Sequence, residues 1–514
     1  MTRPLKVVIV GGGTAGWMCA TGLAGAVRPG LCDVTLIESD EIATVGVGEA
    51  TLPQLKDFND FVGIDEVEFM RNSNATFKLG IDFVDWGKKG NRYMHPFGVF
   101  GQPMGGVAFH HLWMKAKQAG LEHALEDYSY PIVATRTNRF EFPSEDKSSV
   151  SAAYAYAYHF DAFLYVQFLR GFTQARGVKR QEGLIVETNL DPDTGYIRSV
   201  KLASGQVIEG DLFIDCSGFR ALLIDKAMKT EFEDWSKWLP NNRAFAVICE
   251  RNDENFTPYT RSTAREAGWQ WRIPLQHRTG NGYAYSSSFI SDDEARQTLL
   301  DNLDGKALND PWQLKFVSGR RKDCWVKNCV AIGLASGFLE PLESTSIYLI
   351  QMGVIHLIRL LPRGPEMEPV AIEEYKRSMD VEYQRIRDFL ILHYHANERD
   401  DAELWRYTRN MDIPDSLKEK IAAFRHRGHV PFYKDGLFAM PSWVSVFYGQ
   451  GITPENYDPL TDNMELEAAL ARMRDMHEKI RTHTAAMPSH DEFIRGYCPA
   501  VDTEVRATRK AGAR

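Results

Sequence analysis

The sequence predicts a mixed α/β fold, in which a Rossmann-like dinucleotide-binding module is fused to a mainly helical module. Three observations predict it. The apolar run Val7-Val8-Ile9-Val10 reads as a buried parallel strand and leads directly into Gly11-Gly12-Gly13-Thr14-Ala15-Gly16. Short alternating segments between Ala244 and Phe289 read as an antiparallel sheet. Residues 362–430 are charged and helix-forming. The division that follows places the nucleotide module at residues 1–350, with parts of a second site interleaved at about 90–160. Residues 351–506 form the helical module and 507–514 a disordered tail.

The N-terminal elements justify the first part. A helix is predicted from Trp17 to Val27, then a strand Val34-Thr35-Leu36-Ile37 ending at Glu38, roughly 20 residues beyond the last glycine. A glycine loop alone is weak, but strand, loop, helix, strand and acidic residue in register predict a dinucleotide site. Gly11, Gly13 and Gly16, with Thr14 and Ala15, let the backbone approach a pyrophosphate at the helix N-terminus, and Glu38 can accept from a ribose hydroxyl. The glycine-rich loop does not recur downstream, which suits FAD as the one bound dinucleotide and leaves no evident site for a nicotinamide.

Further along, Gly46-Val47-Gly48-Glu49-Ala50-Thr51-Leu52-Pro53 is a glycine-punctuated loop opening a helix near Pro53. Asn74 to Phe83 alternates loosely and reads as a helix end or a strand; Lys78 within it reads as a solvated charge by spacing alone. Residues 93–160 are rich in aromatics and histidines, His95, Phe97, His110, His111 and Trp113 among them. No metal-ligand spacing occurs, so no metal site is predicted, and the stretch is either aromatic core or a slot for a flat substrate. Tyr158 to about Phe172 is predicted as an amphipathic helix, and Asp211 to Gly218 as a strand with its turn.

In Gly268-Trp269-Gln270-Trp271-Arg272-Ile273-Pro274, the two tryptophans share one face of a strand that the proline ends; alone, they read as core. Cys329 to Gly333 is another buried strand, running into Leu334-Ala335-Ser336-Gly337-Phe338-Leu339-Glu340-Pro341-Leu342-Glu343-Ser344-Thr345 and a helix from about Ser344. Ser344 and Thr345 are natural caps, the free N–H groups at that helix start form an anion site, and Glu343 complements the dipole. Met464 to Thr484 carries apolar residues at helical spacing, read as packing.

Composition limits the function. With 44% hydrophobic and 25% charged residues, the 514-residue chain has the make-up of a globular protein with a large core. A net charge of −9, with no basic face, argues against nucleic acid. Seven scattered cysteines without a CxxC argue against a disulfide framework or zinc site. The start carries no signal peptide. The most apolar run, Tyr348 to Leu361, is short and broken by Gln351, His356 and Arg359. These features predict a cytoplasmic protein without a membrane anchor; a homodimer is compatible with them.

The order of glycine loop, Lys78, WxWxIP and the Gly333–Thr345 segment resembles the flavin-dependent tryptophan halogenases, from about residue 5 to about residue 500. The resemblance implies an FAD-binding module of the flavin monooxygenase type, with cofactor contacts at Val47, Gly48, Leu334 and Ile347 besides the glycine loop. It implies that FADH2, supplied by a separate NAD(P)H-dependent flavin reductase, and O2 oxidise chloride or bromide to hypohalous acid. The acid is delivered to Lys78 beside a small indole-type substrate. Glu343 then polarises the oxidant and stabilises the ring cation, Thr345 and Ser346 hold the halide, and Trp269 and Trp271 wall the flavin chamber. His110, His111 and Trp443 fall in segments that flank the substrate. Two departures qualify this: Ser346 stands where the family usually has glycine, and an insertion that grips free tryptophan is largely missing between Phe424 and Trp443. The expectation is an open site for indole or a larger indole compound. A flavin monooxygenase hydroxylating an aromatic, and a flavin-binding protein with an inert site, are the alternatives.

Overall fold

The structure, a computed structural model, describes residues 3–42, 48–433 and 436–501. The predictions for Val47 and the 507–514 tail lie outside the described residues.

The nucleotide module is built on a six-stranded sheet. Its order is Trp325–Val326, Cys329–Ala331, Leu212–Asp215, Leu5–Val10, Cys32–Glu38 and Lys179–Glu182, parallel except for the Trp325–Val326 edge. Alternation along Leu5–Val10 explains why, apart from the exposed Lys6, the strand is apolar on both faces. Val7 and Ile9 join the main core with the helix Thr14–Ala26, while Val8 and Val10 pack on the other face against Ile197, Val200 and Leu202 of a small antiparallel sheet. The helix Thr14–Ala26 is itself held between Ser346–Arg359 and Ala162–Gln174.

A second, seven-stranded sheet runs Trp312–Lys315, Arg243–Cys249, Thr279–Tyr285, Gly268–Pro274, Thr260–Arg265, Gly80–Val84 and Arg92–Pro96. It is antiparallel apart from the pairing of Thr260–Arg265 with Gly80–Val84, as its alternating sequence predicts. A three-stranded sheet of Gly48–Ala50, Ala157–Asp161 and Thr76–Lys78 lies between the two. Lys78 therefore sits where the chain leaves the small sheet; two residues later, Gly80 starts a strand of the large one.

One helix boundary needs correction. Tyr158 to Asp161 is strand, pairing with Thr76–Lys78 and Gly48–Ala50, and the helix begins only at Ala162. Asp161 caps it by accepting from the Phe163 and Leu164 amides. The apolar Tyr158 and Phe160 fit either period locally, so long-range strand pairing decided the outcome.

The C-terminal helices include Pro369–His395, Met440–Gly449 and Leu466–Ala486. They share a single buried cluster with the nucleotide module, running from Leu5 to Cys498. In Leu466–Ala486 the predicted Met473, Met476 and Ile480 are buried, with Ala469 and Thr484, while Leu466 and Leu470 are half-buried. Among the described residues, no helix is long and apolar enough to cross a membrane.

Candidate active site

The glycine loop forms a cradle. Gly11 has φ +115°, and a Cβ there would lie 2.2 Å from the Cys216 carbonyl oxygen; at Gly16 a Cβ would lie 1.8 Å from the Gly11 oxygen. These two glycines bring strand and helix together, whereas a Cβ at Gly13 would meet nothing within 4 Å, leaving space over the start of the helix. The Gly13 N-cap offers no side-chain hydrogen bond, so the first N–H groups of the helix are available to an anion. Glu38 is less free than predicted. Trp17 Nε1 donates to its Oε2 at 3.2 Å, Arg180 Nε bonds Oε1, and Arg170 lies 3.5 Å away. The partly exposed Leu334 follows Gly333, where a Cβ would lie 2.7 Å from that of Ala15, so this segment passes the loop closely; Ile347 is buried in the first turn of Ser346–Arg359. This cradle fits the pyrophosphate of FAD.

The two tryptophans lie on the large sheet. Trp269 and Trp271 share a face of Gly268–Pro274 with ring centres 5.7 Å apart. Trp269 Nε1 donates to Glu340 Oε2 at 3.2 Å, and Asn241 Nδ2 donates to the same oxygen at 2.8 Å. Burial raises the Glu340 carboxyl above its ordinary range. The wall is thus tied to the segment that carries Glu343. Trp271 packs so closely on Gly282 that a Cβ there would fall 2.0 Å from its Cζ2. Gly282→Ala is expected to displace the indole and cost about 1–3 kcal/mol, measured by denaturant unfolding.

Lys78 is fully buried. Its Nζ donates to the Thr51 carbonyl and the Ser344 hydroxyl, each at 2.9 Å, and lies 5.0 Å from the centre of the Phe97 ring. Burial lowers its pKa to about 7, against a raising influence from Glu343. Glu343, also fully buried, lies between two histidines: His95 Nδ1 is 2.8 Å from Oε2 and His393 Nε2 is 2.8 Å from Oε1. The His393 contact is off the hydrogen-bond line, so Oε1 keeps no aligned partner. Burial pushes the Glu343 carboxyl up, but His95 and His393 outweigh it and hold the group at about 2. Beside it, Ser344 adopts φ +59° and turns its hydroxyl to Lys78 instead of capping, while Thr345 occupies the N-cap without a side-chain cap bond. Its buried Oγ1 has no hydrogen-bond partner, next to the Ser346 and Ile347 amides that have no acceptor within the helix.

This geometry joins a nucleotide cradle to a buried lysine–glutamate pair. The sequence model of the tryptophan halogenases matches residues 6–466. The tryptophan 7-halogenase RebH of Lentzea aerocolonigenes is 37% identical, covering 95% of this chain and 98% of its own. Among solved structures, the flavin-dependent halogenase BrvH from Brevundimonas sp. BAL3 superposes with a TM-score of 0.93 at 41% identity, over 97% of this chain and all of its own. Xcc4156, a flavin-dependent halogenase from Xanthomonas campestris, matches with a TM-score of 0.93 at 44% identity, over 97% and 99%. The chain belongs to the tryptophan halogenase family. It is a flavin-dependent halogenase.

Within this halogenase, three further predicted residues make contacts of their own. His110 Nε2 is 2.8 Å from the Gly428 carbonyl oxygen, and His111 Nδ1 accepts from the Asp458 amide at 3.3 Å, so both tie Phe109–Gln118 to C-terminal loops. Trp443 is buried, edge-on to Phe389 at 5.0 Å, with the Lys420 ammonium 4.5 Å from its ring centre. Phe389 in turn touches both His95 and His393. Of the residues near the pair, His95 and, beside Lys78, Phe97 belong to the aromatic- and histidine-rich stretch but were given no role, and His393 was not singled out. Tyr93, His95 and Phe97 alternate along and just beyond one strand, a period-2 signal available in the sequence; His393, on a distant helix, left none.

Proposed function

We propose that this chain halogenates an indole-type ring, with Lys78 receiving the oxidised halogen and Glu343 taking the ring proton. The observation that carries the reading is the fully buried lysine and glutamate, joined at Ser344, in a chain of this family. Gly11, Gly13, Thr14, Ala15, Gly16, Glu38, Gly48, Leu334 and Ile347 would hold FAD. Reduced FAD, delivered by a separate reductase, supplies two electrons to O2 and so the oxidising equivalent that turns halide into hypohalous acid. Thr345 Oγ1 and the amides of Ser346 and Ile347 would hold the chloride or bromide; a serine at 346 leaves these backbone donors in place.

With a pKa near 7, Lys78 is partly neutral at physiological pH. A neutral amine has two hydrogens, matching its two acceptors Thr51 O and Ser344 Oγ, and its lone pair then faces the incoming halogen. Halogen adds to a ring carbon, and that carbon's proton passes to Glu343 Oε1, the oxygen without an aligned partner. The sum is exchange of a ring hydrogen for halogen with release of water. Trp269 and Trp271 keep the organic substrate from the flavin side.

The substrate reading favours indole or a larger indole-bearing molecule over free tryptophan. The alignment with RebH takes 533 positions, more than the 514 residues here, so that relative carries stretches this chain lacks. Hydroxylation, the alternative reading, is not favoured by family membership. All seven cysteines are unpaired, which suits a reducing cytoplasm. Competition between indole, tryptophan and an indole-bearing peptide, each with equimolar chloride and bromide, tests the substrate reading. A higher kcat/KM for indole or the peptide is expected, and a clear preference for tryptophan would overturn it.

A further inference from the structure

Glu343 is backed by a chain of groups that its own chemistry does not require. Gln450, just past the helix Met440–Gly449, donates from Nε2 to the His393 carbonyl oxygen at 2.7 Å and to the Tyr93 hydroxyl at 3.3 Å. Tyr93 OH lies 3.0 Å from His393 Nδ1. Since the tyrosine oxygen accepts from Gln450, its hydrogen is free to go to Nδ1, which makes Nδ1 an acceptor. This arrangement favours the imidazole proton on Nε2, the nitrogen 2.8 Å from Glu343 Oε1. The ring cannot turn to choose otherwise: Phe83 stacks on it at 4.6 Å and Phe389 abuts it edge-on at 5.2 Å. Tyr93 and His95 lie two residues apart on one strand, so a single strand face addresses both histidine contacts of the glutamate.

We propose that His393 is a positioning residue for Glu343: a neutral imidazole, fixed as its Nε2–H tautomer by Tyr93 and Gln450, whose N–H dipole, 2.8 Å from Oε1 and off the hydrogen-bond line, keeps the carboxylate ionised while leaving Oε1 open to the ring proton. It follows that His393 is not a relay. Its Nε2 already carries a proton and accepts none from Glu343, so the ring proton leaves the site by another route. The groups facing this pair are His95, Tyr93 and Lys78. Burial lowers the His393 pKa and raises that of Tyr93, in keeping with a neutral pair at pH 7.

The proposal rests on the halogenation reading for its kinetic consequence but not for its structural one. Protein labelled with 15N-histidine, free of substrate, should show His393 with an imine-type Nδ1 and a protonated Nε2 between about pH 6.5 and 9. Tyr93→Phe should let the Nδ1–H form appear. An imidazolium, or an Nδ1–H tautomer in the unaltered protein, overturns the proposal whatever the activity. In turnover, His393→Phe should lower kcat on the order of tenfold at unchanged KM, and a 13C-carboxyl titration of Glu343 should move upward, toward the ordinary carboxylate range. His393→Gln, which restores a donor, should recover most of both. Equal losses in the two variants, with no movement of the Glu343 titration, would assign His393 to packing only and contradict the proposal. Absence of halogenated product from the unaltered enzyme would instead count against the halogenation reading and leave the tautomer result standing.

Discussion

Lys78→Met is expected to abolish ring halogenation while leaving halide oxidation running. The side chain is fully buried and its two hydrogen bonds end on a carbonyl and a hydroxyl, so nothing nearby replaces the amine. Product formation should fall by roughly 10³-fold or more, while a hypohalite trap in solution continues to be consumed. The same change should stabilise the fold, because burying an ammonium is costly. Lys78 drops from 10.5 to about 7 on folding. Below pH 7 both folded and unfolded forms are charged and the full penalty applies; between pH 7 and 10.5 the folded amine is neutral and the penalty fades. The upper bound is roughly 5 kcal/mol, reduced by about 1 kcal/mol for each lost hydrogen bond. The rise in Tm over the parent enzyme should therefore be larger at pH 6.5 than at pH 9.5. A destabilised variant at pH 6.5 contradicts the buried-charge account.

Glu343→Gln keeps the shape and removes the charge. It should lower kcat by roughly 10²–10³-fold with little change in KM, since the carboxylate acts on the ring cation and not on the neutral substrate. It should also alter Lys78. Glu343 raises the lysine pKa, so its loss lets burial depress that pKa below about 7. If the neutral amine is the reacting form, the residual activity should persist to lower pH than in the parent. If the protonated amine were the working species, the same fall in pKa would instead make the residual activity fail at lower pH on the alkaline side, contradicting the neutral-amine reading.

The sequence made the glycine cradle legible because every part of it is local: strand, loop, helix and Glu38 lie within the first 38 residues. The WxW face was legible for the same reason, as two residues on one strand. Lys78 was not decided by its neighbours. Its burial comes from Ala157 pairing across the small sheet and from Ser344, 266 positions away. His393 was invisible, since it reaches Glu343 from the last turn of a long helix whose sequence resembles ordinary packing. The strand at Tyr158 was misread as helix because its partners, Gly48–Ala50 and Thr76–Lys78, are remote in sequence.

The most direct test of the central claim is mass spectrometry of the products from indole with FAD, NADH, O2, a flavin reductase and bromide, run in parallel with Lys78→Met. The account predicts a product carrying the bromine isotope doublet with the parent enzyme and none with the variant. A product that gains oxygen alone, or a brominated product formed equally well without Lys78, would contradict it.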